Sequence, residues 1–152
     1  MGMKFLASFV LLAALSTGCG SGDGGSTPTS PSPAPSINVG FSTTDLRVGT
    51  GAEATASRSV AVNYTGWTYS TTAADNKGTQ FESSLNPGRS PLVLTPPWNV
   101  IQGFSMGIVG MRVGGVRRVV IPPNLAYANN PPSASIRPNE TLLFEIELLA
   151  VQ

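Results

Sequence analysis

From Ile37 onward the chain runs in short apolar–polar alternations broken by glycine and proline. Val60, Val62 and Tyr64 alternate with Ala61 and Asn63, the pattern of a half-buried strand. Phe144, Ile146 and Leu148 alternate with Glu145 and Glu147, a sharper signal that predicts one apolar face and one face of solvated glutamates. Leu92 and Leu94 predict a short strand, and Val116 to Ile121 another that stops at Pro122-Pro123. One segment has helical spacing: Ile101, Phe104, Ile108 and Met111 fall at i, i+3, i+7 and i+10. Its glycines, Gly103, Gly107 and Gly110, are poor helix formers, so packing against a sheet must hold it. The pattern predicts an α+β fold, an antiparallel sheet folded over one short helix, and not a βαβ alternation.

That prediction disposes of one motif. Gly49-Thr50-Gly51-Ala52-Glu53-Ala54 matches the dinucleotide fingerprint G-x-G-x-x-A. The fingerprint works only between a buried strand and a helix N-terminus that receives the pyrophosphate. Asp45 to Val48 makes a poor core strand, and Thr55 to Ser59 is no amphipathic helix start. A glycine-rich turn between strands is expected here instead.

The N-terminal part follows different rules. Lys4 precedes an apolar run from Phe5 to Leu15 and a small-residue exit, Ser16-Thr17-Gly18-Cys19, which predicts a secretory signal peptide over 1–18. Eleven helical residues span only about 16 Å, too little for a hydrocarbon core of about 30 Å. Leu15 to Cys19 resembles the bacterial lipobox, with Ser16 standing where a large apolar residue is usual. The resemblance implies that Cys19 is acylated and begins the mature chain. Gly20 after it resembles sorting to the outer membrane, facing the periplasm. Residues 19–36 are rich in Gly, Ser and Pro and carry nothing that could drive ordering, so they are expected to be a linker to a domain over 37–152.

Composition narrows the chemistry. The chain has no histidine and one cysteine, which excludes His-dependent triads, imidazole metal sites and an internal disulfide. Nine basic and eight acidic residues give a net charge of +1, and without Lys4 the mature chain is neutral, so nucleic acid is not an expected partner. No carboxylate pair stands out as an acid–base system. Glu82, after Phe81 and before Ser83-Ser84, reads on its own as a surface charge.

Between Asp45 and Leu149 a series of phrases resembles the FKBP-type peptidyl-prolyl cis-trans isomerases. They are Val48 to Ala54, Val62-Asn63-Tyr64-Thr65-Gly66-Trp67, Gly78-Thr79-Gln80-Phe81-Glu82-Ser83-Ser84, and Val100-Ile101-Gln102-Gly103-Phe104. Met111-Arg112-Val113-Gly114, Ile121 to Tyr127 and Thr141 to Leu149 follow in the family's order. The resemblance implies an antiparallel half-barrel of about five strands wrapped around the short helix. It implies a pocket lined by Tyr64, Phe81, Val100, Ile101, Phe104, Tyr127 and Phe144, with Leu92 and Ile136 at the rim. Glu82 occupies a position usually held by aspartate, while the Ile101 N–H and Tyr127 phenol donate to ligand carbonyls. The implied activity is rotation about X-Pro bonds in polypeptides, without a cofactor or metal. Macrolide-type inhibitors are implied as ligands, and no dimerisation arm is visible, so a monomer is expected.

Several positions depart from the family. Phe104 replaces a common tryptophan on the pocket floor, Leu92 a frequent phenylalanine, and Ala128 the glycine usual after Tyr127. The turn Thr95 to Asn99 is one residue short, which allows Trp98 to reach the pocket or its rim. Apart from the resemblance, Tyr64, Phe104, Tyr127 and Phe144 also fit plain packing, and a non-catalytic proline-peptide-binding module of the same fold is the alternative function.

Overall fold

The computed structural model describes residues 39–152. The expected signal peptide, Cys19 and the 19–36 linker lie outside the described residues. Six strands and one α-helix follow in chain order: β1 (Ser42–Arg47), β2 (Val60–Tyr69), β3 (Lys77–Ser83), β4 (Leu92–Leu94), α1 (Gln102–Ile108), β5 (Val116–Ile121) and β6 (Leu142–Val151). All pairings are antiparallel, in the order β1-β5-β6-β2-β3, with β4 also on β2.

The alternating residues predicted from sequence make the centre of the sheet. Val60 and Val62 of β2, Val119 and Ile121 of β5, and Phe144, Ile146 and Leu148 of β6 are all buried. Against this face lie Phe104 and Ile108 of α1, with Met111 just beyond it. The glycines that weaken α1 as a helix let it approach β5 closely. A Cβ on Gly103 would collide with Ile121, and one on Gly107 would lie 2.7 Å from Val119 Cγ2. Arg117 of β5 fixes the other end of the helix, its Nη1 donating to the carbonyls of Gly107 (3.1 Å) and Val109 (3.2 Å).

The described residues form six strands, in keeping with the about five expected. β1 is exposed along its whole length, so it carries no apolar alternation; backbone pairing with β5 and the Arg117–Asp45 contact at 2.6 Å hold it. The glutamates of β6 are not simply solvated. Glu145 takes Lys77 at 2.9 Å and Arg118 at 2.8 Å, and Glu147 takes Arg47 at 2.8 Å. The segment after Gly49 is also more than a turn. Gly51 and Ala54 donate to Val113 and Met111 at 3.1 and 2.8 Å, and Gly49 packs so tightly on Arg112 that no side chain fits.

Candidate functional site

The lower and upper halves of β2 pair with different strands on the same edge. Val60 to Val62 pair with β4, and Thr65 to Tyr69 with β3. Tyr64 falls in the gap between them, where no ladder bond is available from that edge. Ser84, just past β3, supplies the missing partners: its Oγ accepts from the Tyr64 N–H at 2.9 Å, and its N–H donates to the Tyr64 carbonyl at 2.9 Å. The Tyr64 side chain enters a cavity of about 410 Å³.

The other walls come from six more pieces of the fold. β3 contributes Glu82, β4 Leu92, and the approach to α1 contributes Asn99, Val100 and Ile101. α1 itself gives Phe104, the loop after β5 gives Tyr127, and β6 gives Phe144. Three rings build the floor. Phe104 stands edge-on to Tyr64 (centroids 5.5 Å apart, planes at 81°) and to Phe144 (5.2 Å, 80°). Such edge-to-face contacts hold the rings in one arrangement.

Tyr127 is set by the turn that Pro122-Pro123 imposes after β5. Pro123 starts a single 3₁₀ turn over Pro123–Leu125, and its carbonyl accepts from Ala126 (3.1 Å) and Ala128 (2.9 Å) on either side of Tyr127. Ala128 adopts the left-handed conformation, φ 49°.

Burial raises the pKa of the Tyr64 phenol to about 12, helped by the charge of Glu82 and the hydrogen bond it donates to that carboxylate. Burial, with the Glu82 charge second, also pushes Tyr127 up. Both phenols are therefore neutral donors at any physiological pH. The Ile101 N–H has no acceptor among the described residues. The lining thus brings together three aromatic rings, two neutral phenols and Ile101, whose N–H is free to donate, with Glu82 and Asn99 beside them.

Most of the residues expected from sequence line this one cavity: Tyr64, Glu82, Leu92, Val100, Ile101, Phe104, Tyr127 and Phe144. Two do not. Phe81 sits behind the wall, edge-on to Phe144 at 5.6 Å, and packs on Gly66, where a Cβ would lie 2.7 Å from both rings. Ile136, expected at the rim, is 3% exposed and packs within the core cluster, outside the cavity lining. Trp98 also stays out of the cavity, its indole N–H donating to the Arg58 carbonyl at 3.0 Å. Asn99 was not anticipated; the only hint was its position directly before Val100-Ile101.

Comparison with known proteins agrees with this geometry. A family model described as FKBP-type peptidyl-prolyl cis-trans isomerase matches residues 51–149. An FK506-binding protein of Neisseria meningitidis serogroup B is 40% identical over 108 residues, covering 70% of this chain and 92% of that one. FK506-binding protein 1 of Aspergillus oryzae is 36% identical over 106 residues, 68% of this chain and 90% of that one. Among solved structures, FkpA from Escherichia coli aligns with a TM-score of 0.61 at 35% identity, over 74% of this chain but only 48% of FkpA. A peptidyl-prolyl cis-trans isomerase from Pseudomonas syringae aligns with a TM-score of 0.60 at 32% identity, over 74% of this chain and 75% of that one. The half-barrel, the aromatic cavity and these similarities together establish that the chain belongs to the FKBP-type peptidyl-prolyl cis-trans isomerase family.

Proposed function

We propose that this isomerase works outside the cytoplasm, lipid-anchored through Cys19 to the bacterial cell envelope, where it speeds X-Pro rotation in exported polypeptides. The observation that carries the catalytic part is the cavity's chemistry. Its donors are neutral, its floor is aromatic, and its lining joins Tyr127 to Ile101 around one space.

Amide resonance opposes X-Pro rotation with a barrier of about 18–20 kcal/mol. At the twisted midpoint the carbonyl loses its resonance charge. A water-poor apolar cavity therefore disfavours the planar ground states more than the twisted one. The Tyr127 phenol and the Ile101 N–H hold the carbonyls on either side while the bond turns. A ten-thousandfold acceleration asks for roughly 5.5 kcal/mol of such differential binding. No bond is made or broken, so the reaction needs neither a nucleophile nor a proton shuttle.

Uncatalysed X-Pro isomerisation takes tens to hundreds of seconds, slow enough to limit the folding of a secreted chain. An anchor and linker would hold the domain where such chains emerge. Its relatives are named for FK506, and a macrolide of that kind is expected to compete here, with an affinity altered by Phe104 and Leu92.

A protease-coupled assay on an X-Pro peptide tests the catalytic reading. Wild type should accelerate the slow phase, and Tyr127→Phe should lose roughly tenfold in kcat/KM, the worth of one hydrogen bond. Peptide binding without acceleration would establish the non-catalytic module instead. Mass spectrometry of the mature N-terminus tests the anchor; an unmodified terminus would refute it.

A further inference from the structure

Four polar residues line the cavity: Tyr64, Glu82, Asn99 and Tyr127. Tyr64 and Glu82 hydrogen-bond each other, and Tyr127 has its place in the isomerase reading. Asn99 remains. An asparagine just ahead of a helix would ordinarily be explained as its N-cap. Here the cap position is Ile101, and no side chain caps α1. The Asn99 carboxamide makes no hydrogen bond with any described residue. Asn99 is an exposed residue, and it lines the cavity two positions before Ile101.

A carboxamide offers one acceptor and two donors on a planar, uncharged group. That is the complement of a peptide unit, which offers one N–H and one C=O. It is a poor match for a charged side chain, which would call for an ion of opposite sign. We propose that Asn99 is a specificity-determining residue that pairs with a substrate peptide group flanking the X-Pro bond. The site then prefers X-Pro within a longer chain over an isolated X-Pro unit. This inference rests on the isomerase reading and adds to it the length of substrate recognised. A flanking peptide group keeps its geometry while the X-Pro bond turns, so it is bound equally in the ground and twisted states. Its contribution belongs in KM and not in kcat.

The test compares wild type with Asn99→Leu on two substrates, a tetrapeptide with X-Pro at its centre and a blocked X-Pro dipeptide. Wild type should favour the tetrapeptide, and Asn99→Leu should shrink that advantage roughly three- to tenfold, entirely in KM. N-methylating the flanking amide of the tetrapeptide should produce the same loss in wild type and little further loss in the variant. An unchanged tetrapeptide-to-dipeptide ratio, or a loss of kcat on both substrates, overturns the proposal, since either means that Asn99 only shapes the Val100-Ile101 approach. If wild type accelerates neither substrate, the isomerase reading itself fails. The ratio of the two Kd values then puts the same question to Asn99 as a binding residue. The variant's thermal melt, expected to match wild type for so exposed a position, keeps misfolding out of the comparison.

Discussion

Phe104 stands edge-on to Phe144, ring centroids 5.2 Å apart and planes at 80°, so the cavity floor and the sheet's central strand hold each other in place. Phe104 is only 3% exposed even though it lines the cavity, and it belongs to the core as much as to the site. Phe104→Ala should therefore cost about 3–5 kcal/mol of stability as well as activity. Urea denaturation reads the first and the peptide assay the second. A variant as stable as wild type would mean that the ring is not packed as described.

The close approach of α1 to β5 predicts a substitution that goes against helix propensity. Gly103→Ala gains about 1 kcal/mol of propensity within α1. The added Cβ collides with Ile121, a fully buried side chain on a central strand that has little room to yield. Overpacking of this kind costs roughly 1–3 kcal/mol, so the net change should be destabilising. A raised melting temperature would show that propensity wins.

The two phenols of the site set its behaviour in base. Tyr64 holds its proton to about pH 12, and Tyr127 is also shifted up. In the unfolded chain a tyrosine ionises near pH 10. The folded state thus binds more protons between those values, and stability should fall as pH rises through about 10 to 12. Below that window both phenols remain neutral donors, so neither should produce a step in kcat/KM. Denaturation midpoints at pH 8 and pH 11 check the sign. Equal midpoints would mean that neither phenol is held as described.

Acid acts through the opposite linkage. The hydrogen bond from Arg117 holds the Asp45 carboxyl below its usual range, against a small desolvation effect. Glu145 is also lowered: desolvation, the largest single influence, raises it, but the hydrogen bonds and charges of Lys77 and Arg118 together outweigh that. A depressed carboxylate stabilises the fold above its unfolded pKa, near 4, and that contribution is lost as pH falls through the folded value. Asp45→Asn should therefore lower stability modestly at pH 7, the pair being partly exposed, and hardly at all at pH 2. A variant that loses as much at pH 2 as at pH 7 would trace its effect to something other than the charge.

The elements visible in the sequence were those whose pattern is local. β2 buries Val60 and Val62 and β6 buries Phe144, Ile146 and Leu148, each at every second place, and α1 repeats at helical spacing. β1 was invisible because all six of its residues are exposed, and an edge strand held by its neighbour's backbone needs no apolar pattern. The ion pairs of Glu145 join β6 to β3 and β5, contacts that no window of sequence contains. The site divides in the same way. Ordered motifs pointed to the aromatic residues, but they could not tell that Phe81 stands behind Phe144 and not beside it. A lone polar residue such as Asn99 has no period to betray it, and Ile136 owes its burial to the path of a loop.

Ala128 carries the last prediction. It follows Tyr127 where the family usually has glycine, and its φ of 49° is one that a Cβ makes costly, by about 1–2 kcal/mol. Two backbone bonds keep it there: its N–H donates to the Pro123 carbonyl at 2.9 Å, and its carbonyl accepts from Asn139 at 2.7 Å. Those bonds close the 128–138 loop just beside the Tyr127 ring, and Asn139 Nδ2 donating to Asn129 Oδ1 at 2.6 Å braces it further. Ala128→Gly should keep both bonds and remove the strain, at the cost of more freedom in the unfolded chain, about 0.4–1 kcal/mol. The difference is a net gain of about 0.5–1 kcal/mol, or a melting temperature roughly 2–6 °C higher. Scanning calorimetry would detect it. A lower melting temperature would show that the left-handed geometry costs alanine nothing here, and that the loop's hold on Tyr127 comes from elsewhere.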